Sequence, residues 1–500
     1  MSRKFGLRGY IEALRGIGQV VEIERPVDVN MEMSAIARLC YERGAPAPLF
    51  REIAGASPEF QAVSALAGTS SDRGYELARL GLALFLSERC SAADVVEELC
   101  GARQREGVAP NVVADSPCKE NVVAGADLDL TRLPAPRLHQ SGKRYVNTMG
   151  IVITRSPDGS WTNWSISRIM LSDARTGFSS VIPPQHIGVI HDQWREIGQD
   201  MPFAIALGVD PALLFAASMP IPAGMSEVEY AGALLNRPVD VVRCESVDLE
   251  VPADAEIVLE GTFSATGVGL EGPFSQFTGY IYPDYELPAP VVHFNTMTYR
   301  DRPIYPFMPG GELPSEEQTI TGPAMVAEAV HQLRADGLPI ATAWSPFSSC
   351  NGWLVVAVRS SWTELGLDAK AFCRRVANSV WGCKAGDMIN SVIVTEDDID
   401  PSDVDEVIWA IDSRNDRGPG GRLRIDGRIS WPMSPYLDVD HINYYESWKS
   451  SRLIYDCLPS PRSWPARRSR FDTTCPQDVR EKVLRNWMRY GFEPIPGAGE

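Results

Sequence analysis

Four short segments of this 500-residue chain carry side chains suited to holding an anion through a metal ion. Asn163-Trp164-Ser165-Ile166-Ser167-Arg168 offers an amide and a guanidinium, Gln185-His186 an imidazole, Ser226-Glu227 a carboxylate, and Glu271-Gly272-Pro273-Phe274 a second carboxylate. Mg²⁺ and Mn²⁺ take carboxylate and amide oxygens, and Mn²⁺ also accepts an imidazole, so Asn163, His186 and Glu227 make a coherent mixed shell. Three protein ligands leave coordination positions open, which suits a phosphorylated ligand better than a purely structural ion. Arg168 and Glu271 are a different device: a guanidinium binds a carboxylate through two parallel hydrogen bonds and holds it ionised.

Taken singly, each residue has an ordinary structural reading. His186 precedes the apolar run Ile187-Gly188-Val189-Ile190 and fits a hydrogen-bonded core or loop position. Arg168 fits half of a structural ion pair. Glu227 fits the acidic first turn of a helix capped by Ser226. Their combination is what points to chemistry.

The sequence resembles the UbiD-type decarboxylases, which use prenylated FMN to remove CO₂ reversibly from aromatic and α,β-unsaturated acids. The resemblance runs through Asn163 to Arg168, Pro184-Gln185-His186, Ser218-Met219-Pro220 with Glu227 nine residues after the serine, Val251 to Gly261, Glu271-Gly272-Pro273-Phe274, Lys384 and Asp397-Asp398-Ile399-Asp400. It implies that Asn163, His186 and Glu227 hold Mn²⁺ or Mg²⁺ on the cofactor phosphate, with Lys384 adding a point charge. The backbone around Trp164, Ala217 and Ser218 would hold K⁺. Ser165, Ile166, Ser167, Gln185, Met219 and Pro220 would line the flavin. Arg168 and Glu271 would flank its reactive edge, Arg168 orienting the substrate carboxylate and Glu271 tuning that arginine or moving the proton. Phe277, Thr321, Trp431 and Met433 would form a pocket for a flat aromatic acid.

One position departs from the family pattern, which commonly carries a second acid two residues after the phenylalanine to return a proton once CO₂ has left. Here that position is Gln276. A primary amide donates a hydrogen bond but cannot act as a general acid near neutral pH. Glu271, water or another polar residue must then carry the proton, or the chain is a flavin-binding accessory protein without turnover. A metal-dependent hydrolase built on His186 and Glu227 is a weaker alternative.

The elements that must position these residues form a mixed α+β plan. Residues 1–115 read as an N-terminal α/β domain with helices over Glu32–Arg43 and Ser91–Gly101. Residues 116–320 carry β-type runs, Asn147–Thr154, Phe203–Val209, Val239–Cys244 and Val291–Tyr299, and predict a split β-barrel, which the resemblance makes the domain that binds the prenylated FMN. A linker helix follows in 321–340, with Thr321–Ala335 helical, then a C-terminal α/β domain in 341–455. The tail, 456–500, ends in a helix over Pro476–Tyr490 whose apolar Val479, Val483, Leu484 and Trp487 would pack on a partner surface, and the resemblance implies a homodimer or larger assembly.

Hydrophobic residues make up 44% of the chain and charged residues 22%, enough to bury several cores. A net charge of −18 opposes the phosphate attraction on which nucleic-acid binding rests. No long apolar segment calls for a membrane, the start lacks a secretory core, and a cytoplasmic location is expected. The ten cysteines are scattered without a Cys-x-x-Cys pair and read as reduced thiols. The resemblance implies as partners a small aromatic or unsaturated acid and a flavin prenyltransferase that supplies the cofactor.

Overall fold

Side-chain alternation along the central strands decides where the cores form. On the strand Met201–Leu207, Phe203, Ile205 and Leu207 enter one apolar cluster while Ala204 and Ala206 enter another. Successive strand residues point to opposite faces, so a strand apolar at every position must be covered on both sides. The computed structural model describes residues 3–140, 142–181, 185–282, 286–312, 314–415, 422–429, 449–459 and 468–493. Trp431 and Met433, expected in the substrate pocket, lie outside the described residues.

The largest sheet has nine strands among the described residues. Its order is Thr162–Ile166, Ile151–Arg155, Met201–Leu207, Ile257–Glu271, Leu287–Tyr299, Thr176–Ser179, Ile169–Leu171 and Tyr145–Asn147, with Asn121–Ala124 also pairing to Leu287–Tyr299. Thr162–Ile166 sits at one end of this order and Ile169–Leu171 next to the other, yet only Ser167 and Arg168 separate them in the chain. Both conditions hold only if the sheet curls until its ends approach, which is the split barrel expected from the sequence. Arg168 therefore lies at the seam. Bulges in the long pair Ile257–Glu271 and Leu287–Tyr299 assist the curl. At one of them Gly261 is required, because a Cβ there would lie 1.9 Å from the His293 carbonyl oxygen.

The N-terminal region packs helices Leu7–Gly16 and Glu32–Arg43 against a four-stranded sheet, while its helix Ala92–Gln104 packs on Thr321–Ala335 and Glu227–Leu235. Its fourth strand, Ile304–Pro306, comes from the far side of the barrel and pairs in parallel with Gln61–Val63. A Ser91–Asp94 capping box starts Ala92–Gln104, and Gly44 ends Glu32–Arg43 in the left-handed region at φ 55°. Beyond the barrel, helix Thr321–Ala335 is buried from Gly322 to Val330. It leads into a five-stranded sheet of Ile340–Trp344, Trp353–Val358, Ser391–Glu396, Lys449–Asp456 and Arg422–Ile429. Helices Ala369–Gly382 and Val404–Arg414 complete this α/β region. The tail helix Gln477–Asn486 has no buried residue.

Candidate active site

The strand Thr162–Ile166 carries Asn163 and Trp164, the helix His186–Glu196 begins with His186, and the helix Glu227–Leu235 begins with Glu227. Asn163 Nδ2 donates to Glu227 Oε1 at 2.8 Å and the Trp164 amide donates to Glu227 Oε2 at 3.0 Å. His186 Nδ1 lies 3.5 Å from Glu227 Oε1, and its ring stands edge-on to Trp161 at 4.8 Å. Three groups more than twenty residues apart in the chain thus meet in the interior. Two helix N-termini open at the same point, where unpaired amide groups and the helix dipole favour an anion.

Burying an amide oxygen without a partner is costly, so an orphan calls for an explanation. Asn163 Oδ1 is buried and has no hydrogen-bond partner among the described residues, and neither has Ser218 Oγ. An amide oxygen, an imidazole and a carboxylate are the donor set an oxygen-preferring divalent ion accepts, and a cation beside Asn163 would satisfy the orphaned Oδ1. These residues fit such an ion. Lys384 opens the turn Lys384–Asp387, and burial lowers its pKa to about 8 against the opposing influence of Glu227.

A second group lies at the barrel seam. Arg168 Nε and Nη2 donate to Glu271 Oε1 and Oε2 at 2.8 and 2.9 Å, and the Tyr145 hydroxyl donates to Glu271 Oε1 at 2.7 Å. The guanidinium also lies over the Phe274 ring at 4.7 Å, while Phe274 meets Tyr145 edge-on at 4.9 Å. Burial alone would raise the Glu271 pKa, but Arg168 and then Tyr145 outweigh it and hold the carboxyl below its usual range. For Arg168 burial works against the charge and Glu271 overrides it, so its pKa is raised. The pair is ionised on both sides.

Arg168 lines a cavity of about 220 Å³ together with Ile166, Ser167, Gln185 and Gln276. Phe277 and Thr321 close another side of it. The structure thus gathers seven residues singled out in the sequence around one space. Others stand apart from this lining. Ser165 Oγ donates to the Val152 carbonyl at 3.5 Å, Met219 is buried and Pro220 half-buried after the helix Pro211–Ser218. Sequence reasoning missed Tyr145 and Glu317, which carry strong electrostatic roles here. Glu317 follows Ser315-Glu316 and reads as an ordinary acidic first turn, so no local signal marks it.

Three family models cover most of the chain. Residues 111–312 match the 3-octaprenyl-4-hydroxybenzoate carboxy-lyase Rift-related domain, residues 11–99 the N-terminal domain of that family and residues 318–420 its C-terminal domain. The chain belongs to the UbiD family of carboxy-lyases. It is 38% identical over 494 residues to the pyrrole-2-carboxylic acid decarboxylase of Pseudomonas aeruginosa, covering 97% of this chain and 98% of that protein. It is 34% identical over 496 residues to ferulic acid decarboxylase 1 of Saccharomyces cerevisiae, again with 97% and 98% covered. Among solved structures it resembles the UbiD-class enzyme HmfF from Pelotomaculum thermopropionicum in complex with FMN, at a TM-score of 0.80 and 24% identity, covering 96% of this chain and all of that one. It also resembles the closed form of vanillic acid decarboxylase from Sedimentibacter hydroxybenzoicus, at a TM-score of 0.82 and 23% identity, with 97% and 99% covered.

This UbiD-family chain is therefore a carboxy-lyase, and its named relatives decarboxylate heteroaromatic or aromatic acids. Family membership leaves no place for the metal-dependent hydrolase. No helix among the described residues is long and apolar enough to cross a membrane.

Proposed function

We propose that this UbiD-family enzyme removes CO₂ reversibly, without net oxidation, from an aromatic, heteroaromatic or α,β-unsaturated carboxylic acid using prenylated FMN. The reading rests on one observation above others: Asn163 and His186 both meet Glu227, Asn163 keeps an orphaned amide oxygen among the described residues, and the group lies in the same domain as the Arg168–Glu271 pair beside its cavity. Asn163, His186 and Glu227 would hold Mn²⁺ or Mg²⁺ against the flavin phosphate, with Lys384 adding charge. The backbone at Trp164 and Ala217, with the unpartnered Ser218 hydroxyl, would hold K⁺. Ser165, Ile166, Ser167, Gln185, Met219 and Pro220 would line the ring.

Aromatic decarboxylation is slow because the departing CO₂ leaves an electron pair on a ring carbon. Prenylated FMN, when bound, supplies the sink for that pair. The remaining work is positional and electrostatic. Arg168 commits Nε and Nη2 to Glu271, which leaves Nη1 as the guanidinium group free of that pairing to receive the substrate carboxylate. Glu271, held ionised, fixes the guanidinium plane, and Tyr145 fixes Glu271. Phe277 and Thr321 offer an aromatic face and a lightly polar edge to a flat substrate.

A flavin prenyltransferase would supply the cofactor, and the exposed Val479 and Leu484 of the tail helix would bury against a second copy in a homo-oligomer. Gln276 favours one competing reading, an accessory protein that binds the flavin without turning over. Protein co-expressed with a flavin prenyltransferase and offered a panel of aromatic acids separates the two. Bound modified flavin with CO₂ release supports the enzyme, and bound flavin with no release from any acid supports the accessory role.

A further inference from the structure

Gln276 cannot supply the proton that must replace CO₂, and Glu271 is poorly placed to do so. Glu271 accepts hydrogen bonds from Arg168 at 2.8 and 2.9 Å and from Tyr145 at 2.7 Å, all of which favour its ionised form. Among the described residues one carboxyl lines the cavity beside Arg168. Glu317 stands with Arg168, Gln276, Phe277 and Thr321 on its wall, and its Oε2 is shut away from solvent with no hydrogen-bond partner among the described residues.

We propose that Glu317 is the proton donor of this site, taking the task that Gln276 cannot perform; the proposal rests on the decarboxylase reading above.

The surrounding structure holds Glu317 for that role. Asn351 Nδ2 donates to the Glu317 carbonyl at 2.9 Å, and Gln318 Nε2 donates to the Phe277 carbonyl at 2.7 Å, tying the short helix Glu316–Thr319 to the loop that carries Gln276. Glu316 anchors the other side through the Ala67 amide at 2.9 Å and the Tyr41 hydroxyl. A Cβ on Gly310 would lie 3.5 Å from Glu317 Oε2, 3.4 Å from the Phe274 ring and 2.7 Å from the Ser275 carbonyl oxygen. The Glu317 carboxyl therefore borders the segment running from Glu271 to Gln276. Arg168, Glu316 and the Cys350 thiol are the ionisable groups that act on it. Burial pushes its pKa up to about 7, Arg168 pulling it down and Glu316 pushing it up. A carboxyl in that range is both populated as the acid and able to release its proton near neutral pH.

The bond between the substrate carbon and its carboxylate breaks with both electrons staying on carbon, and CO₂ departs. That pair takes the proton from Glu317 Oε2, forming the C–H bond and leaving Glu317 as a carboxylate. One proton taken up from bulk solvent in each cycle returns Glu317 to the acid, matching the proton that replaces CO₂ on the product.

The test uses holoenzyme made with a flavin prenyltransferase, with pyrrole-2-carboxylate and ferulate as probes. Glu317→Gln should lower kcat by about 100-fold or more with KM and flavin content little changed. Adding Gln276→Glu to that variant should restore at least tenfold of the loss, a rescue that a purely structural role for Glu317 would not give. On flavin-free protein, infrared or ¹³C NMR titration should show a carboxyl titrating near pH 7 in the wild type that vanishes in Glu317→Gln. Turnover by Glu317→Gln within roughly threefold of wild type overturns the proposal, as does a titration unchanged by the substitution. If the wild-type holoenzyme releases no CO₂ from any acid, the decarboxylase reading fails and the donor role falls with it.

Discussion

Replacing Glu271 by glutamine keeps the side chain's shape and removes its charge, which isolates what the ion pair with Arg168 contributes. Glu271 is 1% exposed and Arg168 17%, so the pair is nearly dry. The amide retains one carbonyl oxygen, which can satisfy Arg168 Nε or Nη2 but not both. Its NH₂ then faces an N–H at a position now occupied by a 2.9 Å hydrogen bond. One charge-assisted bond is lost, about 1.5–3 kcal/mol, and the guanidinium stays buried without a counter-charge. Removing one member of a buried pair costs on the order of 3–5 kcal/mol in all. If about 3 kcal/mol of that appears as lost positioning in the barrier, CO₂ release slows about 150-fold. Single-turnover release by holoenzyme is the assay, with flavin content and thermal midpoint as controls. A variant that retains its flavin and turns over at nearly the wild-type rate would refute the assigned role of Glu271.

Other substitutions report on separate parts of the account. Asn163→Ala and Glu227→Gln should each strip FMN from the purified protein, read by its visible absorbance, because each removes one of the three converging groups. Phe203→Ala, which empties the ring contacts to Phe263 at 4.8 Å and Phe294 at 5.6 Å, should destabilise the barrel by about 3–5 kcal/mol in chemical unfolding. The folded pKa of Glu271 lies below its unfolded value, so its stabilisation is present above the usual carboxylate range and is lost as pH falls through the folded value. Wild-type stability should therefore drop more steeply with acid than that of Glu271→Gln, by thermal midpoint against pH. Leu484→Asp together with Met488→Asp, both exposed on the tail, should shift the assembly to a monomer by light scattering.

Helices were legible in the sequence both where one face is buried, as in Glu32–Arg43, and where the helix is buried all round, as in Thr321–Ala335. Thr321–Ala335 and Glu32–Arg43 have the limits expected from the sequence. The run Asn147–Thr154, expected as one strand, is divided. Asn147 Oδ1 accepts from the Gly150 amide at 2.6 Å and its Nδ2 donates to the Gly150 carbonyl at 3.1 Å, folding a turn between Tyr145–Asn147 and Ile151–Arg155. Side-chain capture of the backbone of this kind competes with strand pairing and leaves no mark on hydropathy. The long strand Ile257–Glu271 was hidden for another reason: its outer half, from Ser264 to Leu270, is partly exposed and rich in small residues. Pairing of Ile304–Pro306 with Gln61–Val63 joins segments some 240 residues apart, and a local pattern carries no such information.

At the site, the metal-type cluster and the Arg168–Glu271 pair were readable because each residue type has a distinctive chemistry and the motifs resemble a known family. Tyr145 and Glu317 were not, because their roles come from packing. Tyr145 matters through one hydroxyl that reaches Glu271, and Glu317 through a cavity wall built from distant segments.

Crystals grown with Mn²⁺ and FMN, with data collected at the manganese absorption edge, test the central claim most directly. One anomalous peak should be bonded to Asn163 Oδ1, a His186 ring nitrogen and a Glu227 carboxylate oxygen, with the flavin phosphate on its open side and the ring reaching toward Arg168. A peak at any other place, or a flavin bound away from Arg168, would contradict the account.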